Sequence, residues 1–237
     1  MSSLVQSIQE FMQVHDYVSR ETNVSVQVLA SKLAQYVDLV QEANQQFNLT
    51  GAKTGQVFFE DHVVDSLLAA QVFLKDSSLA SKNSLWIDVG SGAGLPGLVW
   101  ALLKPKQKML LVESKQKKAA FLQKTANFLG LNQLSVSAQR FEELSLKLEG
   151  QSLFVKPEIK VVSRGTASPE KLIKLVRASL LPWKDWYVFS SSKTHEDFLR
   201  LAASKSGFAF SVRLLDLGKN PFSQKPILLS HLLRDLA

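Results

Sequence analysis

Leu85-Trp-Ile-Asp-Val-Gly-Ser-Gly-Ala-Gly-Leu-Pro-Gly97 decides how this chain is read. Leu85 to Val89 is apolar except for Asp88 and rich in strand formers, so it reads as a short buried strand. Glycines at 90, 92, 94 and 97 follow. They let the backbone turn sharply and let a ligand come close, because no Cβ intervenes. Leu98-Val-Trp-Ala-Leu-Leu103 continues apolar, and Pro96 suits the first turn of a helix. Strand, glycine loop and helix in that order place a nucleotide-like ligand at the head of the helix.

The spacing narrows the ligand. A dinucleotide fold wants G-x-G-x-x-G, but here the third glycine comes one residue early, as Gly90-x-Gly92-x-Gly94. An NAD-dependent oxidoreductase is therefore disfavoured. Asp88 is an odd choice for packing at a strand end, so it is expected to face a ligand or the loop. Glu113 ends the next apolar run, Met109 to Val112, roughly 20 residues after the loop, where an acid binds ribose hydroxyls and excludes a 2′-phosphate. Together these features resemble the pocket of S-adenosylmethionine (SAM) methyltransferases.

The chain has 237 residues and 46% hydrophobic content, enough for one large domain plus a small extension. No apolar run approaches the roughly 20 residues that span a membrane. No basic region followed by an apolar run opens the sequence, so no secretory signal is expected. Cysteine is absent, which excludes thiolate metal sites and cysteine nucleophiles and suits a reducing cytoplasm. The net charge is +7, unevenly spread. Residues 1–84 hold five Lys and Arg against nine Asp and Glu, whereas residues 85–237 hold twenty-three against twelve. The positive potential belongs to the glycine-loop part and points to a polyanionic partner, most simply nucleic acid.

Hydrophobic spacing predicts helices over 4–18, from a Ser25 cap through the stripe Leu29, Leu33, Tyr36, Val37, Val40 and Phe47, and over 56–75. His62, Asp65 and Ser66 sit too close together for a Ser-His-Asp relay, whose members converge from separate elements. They are expected to bond locally at a domain junction or to form a pocket wall. Residues 75–84 read as a linker, which divides the chain into an N-terminal helical extension, 1–84, and a second domain, 85–237. In that domain, strands at 85–89, 109–112, 134–138, 159–163 and 186–190 alternate with helices at 98–103, 115–129 (capped by Ser114), 141–148, 169–181 and 196–206. Strands 208–217 and 227–233 close it as an antiparallel pair. The fold class is α/β: a mostly parallel seven-stranded sheet with an antiparallel C-terminal pair.

Several pieces then resemble the bacterial RNA methyltransferases that methylate guanine N7 in 16S ribosomal RNA, also called glucose-inhibited division protein B. They are Asn48-Leu-Thr50, His62-x-x-Asp65-Ser66-Leu67, Asp88 to Gly97, Glu113-Ser114 with Lys117-Lys118, Arg140-Phe-Glu142-Glu143 and Ser163-Arg164. The resemblance covers about residues 35–180 and implies a Rossmann-like SAM-dependent methyltransferase fold. It implies transfer of a methyl group from S-adenosyl-L-methionine to a guanosine N7 in the 530-loop region of 16S rRNA, naked or in the small ribosomal subunit. Gly90 and Leu95 would line the SAM site together with Asp88, Gly92 and Gly94. Phe141 and Glu142 would lie against the adenine, Glu113 would hold the ribose, and Arg164 would act at the junction of cofactor and substrate. Gly165 stands where alanine is expected, and Ser190-Ser-Ser-Lys193 departs from a Lys-Gly strand end, so Lys193 receives no role.

Guanine N7 has a free lone pair, so alignment with the methyl donor can supply most of the rate. The absence of cysteine argues against covalent attack on pyrimidines, and the absence of Asn/Asp-Pro-Pro-Tyr/Phe argues against methylation of exocyclic amines. Lys115, Lys117, Lys118, Lys171, Lys174 and Arg177 are candidate phosphate contacts. A cytoplasmic monomer with no metal and no membrane association is expected. Competing readings are a SAM enzyme acting on another RNA, a protein or a small molecule, and a non-catalytic RNA-binding module with a degenerate pocket.

Overall fold

The computed structural model describes residues 3–14, 24–75, 84–144, 158–178, 181–204 and 210–234. Its strands are β1 (Ser84–Val89), β2 (Lys108–Val112), β3 (Leu134–Ser137), β4 (Glu158–Ser163), β5 (Trp183–Ser190), β6 (Phe210–Lys219) and β7 (Pro226–Arg234). They form one sheet in the order β3-β2-β1-β4-β5-β7-β6. The first five are parallel, and β7 runs antiparallel between β5 and β6. β1 is central, which is why its sequence is an almost unbroken apolar run: it is covered on both faces.

Alternation along the strands sorts their side chains between two apolar clusters. Trp86, Leu111, Val162, Tyr187 and Leu229 join one cluster; Ile87, Val112, Val161, Trp186 and Leu232 join the other. The first face is covered by α1 (Ser3–Val14), α2 (Val26–Gln46), α4 (Val64–Lys75), α5 (Gly97–Leu103) and α6 (Gln116–Phe128). The second is covered by α7 (Pro169–Ala178) and α8 (Ser192–Ala203). The helical extension thus packs on the sheet itself, and one apolar cluster runs across residue 84. Of the stripe read from the sequence, Leu29, Leu33, Tyr36, Val37 and Val40 form the buried face of α2, whereas Phe47 is the extended residue that ends it; Ser25 caps the helix by accepting the Val28 N–H at 3.2 Å.

Several boundaries differ from the sequence reading. Residues 141–148 were expected to be helical, but Phe141–Glu143 is a single 3₁₀ turn and Leu144 is extended; residues 145–148 lie outside the described residues, as do the linker residues 76–83. β5 starts three residues before Trp186, because Trp183 and Asp185 already pair with β4. α8 begins at Ser192 rather than 196, capped by the Ser191 hydroxyl on the Thr194 N–H at 3.1 Å. Ser114 does not cap α6; the Glu113 carboxylate instead takes the Lys115 N–H at 2.8 Å. The helix expected over 56–75 contains a π-helical turn, Phe59–Val63, between α3 (Gly55–Phe58) and α4. A π turn shifts the i→i+4 pattern and leaves carbonyls for other partners.

Candidate functional site: a crevice at the carboxyl edge of the sheet

Val112, Val89 and Ser163 lie level across β2, β1 and β4. The next residue of each chain, Glu113, Gly90 and Arg164, therefore leaves the sheet at one edge. This is also where strand order reverses, with β2 and β3 on one side of β1 and β4 and β5 on the other. Ligands of open α/β sheets bind at such a point. A crevice of about 590 Å³ opens there, within the roughly 300–1,000 Å³ typical of small-molecule sites.

The floor of the crevice is bare main chain. Gly90 has φ +69°, and a Cβ there would stand 2.6 Å from Thr166 Cγ2. Thr166 is held across the loop by its hydroxyl, which donates to Val89 O at 2.7 Å. Glu113 Oε2 accepts the Gly92 N–H at 3.0 Å, so the acid both shapes the loop and lines the crevice. A carboxylate has about four acceptor positions; those not used by Gly92 and Lys115 are available to ribose hydroxyls. From the other side, Tyr36 of α2 donates to Ala93 O at 2.9 Å, with its hydroxyl completely buried. Leu49, Thr50 and His62 complete the wall from the extension. Asn44 Oδ1 fixes the backbone there by accepting the N–H groups of Leu49 and Thr50 at 3.0 and 2.9 Å.

Asp88 does not line the crevice. It is fully buried, and its Oδ2 accepts the Gly97 N–H at 3.0 Å, closing the loop onto α5. Gly97 permits this approach: a Cβ would stand 2.3 Å from Leu111 Cδ2 and 2.7 Å from that same Oδ2. The Ser91 hydroxyl donates to the Asp88 carbonyl at 2.9 Å, and Asp88 Oδ1 has no hydrogen-bond partner among the described residues. Burial, opposed by the Gly97 N–H, pushes the Asp88 carboxyl up from 3.8 to about 8. A raised folded pKa makes a contribution to stability that is complete in acid and is lost as pH rises from about 4 towards 8. Asp88→Asn should therefore remove a decline on the order of 1 kcal/mol per pH unit across that window, measured by urea denaturation at several pH values. Parallel pH profiles for both proteins would contradict the assignment.

The π turn carries the second half of the site. Arg164 donates from Nη1 to His62 O at 2.8 Å and from Nη2 to Asp61 O at 3.1 Å and Asp65 Oδ2 at 2.8 Å. Nη2 also lies 3.1 Å from His62 Nδ1. Three acceptors surround a nitrogen with two hydrogens, so at least one N–H is shared. A guanidinium cannot accept, so His62 Nδ1 is the acceptor and the proton of the neutral ring sits on Nε2. Burial, and then the Arg164 charge, lower the His62 pKa and keep it neutral. Burial also raises the Asp65 pKa, against the pull of Arg164. Asn220, buried in the β6–β7 turn, donates to Glu60 O and Asp65 Oδ1, both at 2.7 Å. Every carbonyl from Glu60 to His62 is thus met by a side chain at least a hundred residues away in sequence.

Residues 29–211 match the family model of GidB, rRNA small subunit methyltransferase G. The chain belongs to this family. Ribosomal RNA small subunit methyltransferase G of Wolinella succinogenes is 34% identical over 154 residues, 65% of this chain and 71% of that protein. The Nitrosomonas europaea protein of the same name is 35% identical over 165 residues, 69% of this chain and 70% of its own. The Brachyspira hyodysenteriae one is 40% identical over 118 residues, 50% of this chain and 54% of its own. Among solved structures, cofactor-bound Rv0187 from MTB shares the fold at a TM-score of 0.52, with 13% identity over 86% of this chain and 89% of that one.

In this member of the rRNA small subunit methyltransferase G family, the expected site residues divide in two. Gly90, Gly92, Leu95, Glu113 and Arg164 line the crevice. Asp88, Gly94, Phe141 and Glu142 are not among its lining residues. A Cβ on Gly94 would stand 2.2 Å from Leu98 Cδ1, so this glycine lets α5 pack against the loop. Phe141 is buried edge-on to Trp186 with centroids 5.4 Å apart, and Glu142 is half-buried beside it. The six cationic candidates divide as well. Lys118 donates to Leu49 O at 3.2 Å and ties α6 to the extension. Lys115, Lys117, Lys171, Lys174 and Arg177 are exposed, but α6 and α7 cover opposite faces of the sheet, so these cations do not share one face.

Sequence reading missed Thr166, Asn220 and the bracing role of Tyr36. Thr166 sits two residues after Arg164, a usable signal. Asn220 lies in a Gly-Lys-Asn-Pro turn and acts on a helix 155 residues away, which no local pattern reveals. Among the described residues, no group of three His, Asp or Glu could hold a metal ion, and no helix is long and apolar enough to cross a membrane.

Proposed function

We propose that this chain methylates N7 of a guanosine in the 530-loop region of 16S rRNA, as a cytoplasmic monomer acting on the small ribosomal subunit or its RNA. Family membership makes it a SAM-dependent rRNA methyltransferase; the atom and the place on the RNA are the finer reading. The observation that carries the reading is the level exit of Glu113, Gly90 and Arg164 around one open crevice. The residues present fit the cofactor: a floor without Cβ atoms, an acid with free acceptor positions for a ribose, and the apolar Leu95 in the wall. Gly90, Gly92, Leu95 and Glu113 would hold it, with Phe141 and Glu142 proposed at the adenine end. When bound, S-adenosyl-L-methionine supplies an electrophilic methyl group, which the N7 lone pair takes while the carbon–sulfur electron pair stays on sulfur.

The chain's own residues do the rest. No proton leaves N7, so no general base is required, and orientation supplies the main advantage. Arg164, with its donors directed into the π turn and Asp65, acts as a positioning residue: it fixes the extension wall against the loop. The exposed cations on α6 and α7 supply the sequence-independent attraction for phosphate. Mapping N7-methylguanosine in 16S rRNA from cells with and without this gene tests the reading. One such nucleotide should disappear with the gene and return with its expression. An unchanged methylation map would contradict the proposal.

A further inference from the structure

A second cavity, of about 370 Å³, opens between the ends of β4 and β5 and the starts of α7 and α8. Gly165 and Thr166 belong to the walls of both cavities. Its chain neighbours aside, no atom of the described residues lies within 4 Å of where a Gly165 Cβ would be, so at Gly165 the shared wall is bare backbone facing open space. Phe189 stands in the second wall, and the Arg164 guanidinium lies over its ring, 5.2 Å from the centroid. Asp197 is the only carboxylate among the described residues that line the cavity. It is half-buried, 23% exposed in its side chain, and its Oδ1 meets the largely exposed Arg200 at 2.7 Å. Thr194 and the exposed Lys193 share its helix and its cavity.

We propose that this second cavity receives the target guanine and that Asp197 reads its Watson–Crick edge, a proposal that rests on the guanine-N7 reading above. Guanine presents N1–H and the N2 amine side by side, two donors that match the two oxygens of a carboxylate. Adenine places an acceptor at N1, which meets a carboxylate lone pair to lone pair. Selectivity then follows from one acid. N7 lies on the opposite edge of the purine, so a base held through N1 and N2 leaves N7 free for the wall shared with the cofactor crevice. A base reaches such a cavity only when unstacked from its neighbours, and an aromatic wall favours it there. Lys193 supplies a charge for the adjoining phosphate. The pairing also leaves the reaction uncomplicated: Asp197 takes no proton, and the attacking nitrogen needs none removed.

The test uses the full-length protein, SAM, and small subunits lacking the methylation, assembled with guanosine or inosine at the target position. Inosine keeps N7 and N1–H but lacks the N2 amine. Wild-type kcat/KM should be roughly tenfold or more lower on inosine, the discrimination expected when one hydrogen bond to a charged acceptor is lost. Asp197→Asn should lose roughly tenfold or more on guanosine, bring the guanosine-to-inosine ratio close to one, and bind S-adenosylhomocysteine as wild type does. Arg200→Ala breaks the same ion pair from its other side and should keep the wild-type ratio. An Asp197→Asn protein with the wild-type ratio, or a wild type indifferent to the N2 amine, would overturn the proposal. A wild type inactive on both substrates would overturn the guanine-N7 reading instead.

Discussion

Gly90→Asp should abolish saturable binding of S-adenosylhomocysteine at concentrations that saturate the wild type. Two costs coincide at this position. Its φ of +69° is a conformation that costs an L side chain about 1–2 kcal/mol. The new Cβ would also stand 2.6 Å from Thr166 Cγ2 and 2.9 Å from its hydroxyl, which is itself held on Val89 O. Thr166 cannot yield without releasing that bond, and the new carboxylate has only the crevice to occupy. The variant should still fold, because Gly90 lies at a sheet edge and outside both apolar clusters. Isothermal calorimetry reads the binding, and circular dichroism checks the fold. A folded Gly90→Asp protein with unchanged affinity would show that the cofactor sits elsewhere.

Arg164→Ala is expected to cost about 2–4 kcal/mol of stability and nearly all activity. The lower end allows for solvent, since the Arg164 and Asp65 side chains are 19% and 21% exposed. The loss opens the carbonyl of Asp61 in the π turn, leaves that of His62 with the Ser66 hydroxyl, and leaves Asp65 with Asn220 as its remaining bonded partner among the described contacts. Burial already raises the Asp65 pKa, and Arg164 is the largest influence lowering it. Without Arg164 that pKa rises further. A carboxyl with a raised folded pKa weakens the fold as pH increases, so the deficit of the variant should be small near pH 5 and larger near pH 8. Arg164→Lys should recover only part of it, because an ammonium is a point charge and cannot span the acceptors that the planar fork reaches. Urea denaturation of the three proteins at both pH values measures this. A deficit below about 1 kcal/mol, or one independent of pH, would mean that Arg164 does not pin the two layers together.

Much of this was legible in the sequence, and the reason is periodicity. The apolar runs of β1, β2 and β4 and the stripe of α2 are local patterns, and each lies where it was read. The level exit of Glu113, Gly90 and Arg164 was legible too, because each ends a strand of the same parallel sheet. Long-range bonds were not. Asp88 reads as a ligand or loop residue, and only the packed structure shows its carboxylate turned away from the crevice onto Gly97. His62 and Asp65 read as a local cluster; their partner Arg164 lies about a hundred residues on, and Asn220 further still. The π turn leaves no clear trace in composition, because its register shift is stabilised by those distant side chains. Asp197 also escaped notice, since an Asp four residues before a Leu on an amphipathic helix is what any solvated face contains. It gains meaning from the cavity on which it borders.

The most direct measurement is a crystal structure of the protein with S-adenosylhomocysteine bound. The account predicts the adenosine in the crevice above Gly90 and Gly92, with ribose hydroxyls on the Glu113 carboxylate and the amino-acid sulfur towards Gly165 and Thr166. Density for the ligand in any other cavity, or a ribose that makes no contact with Glu113, would contradict it.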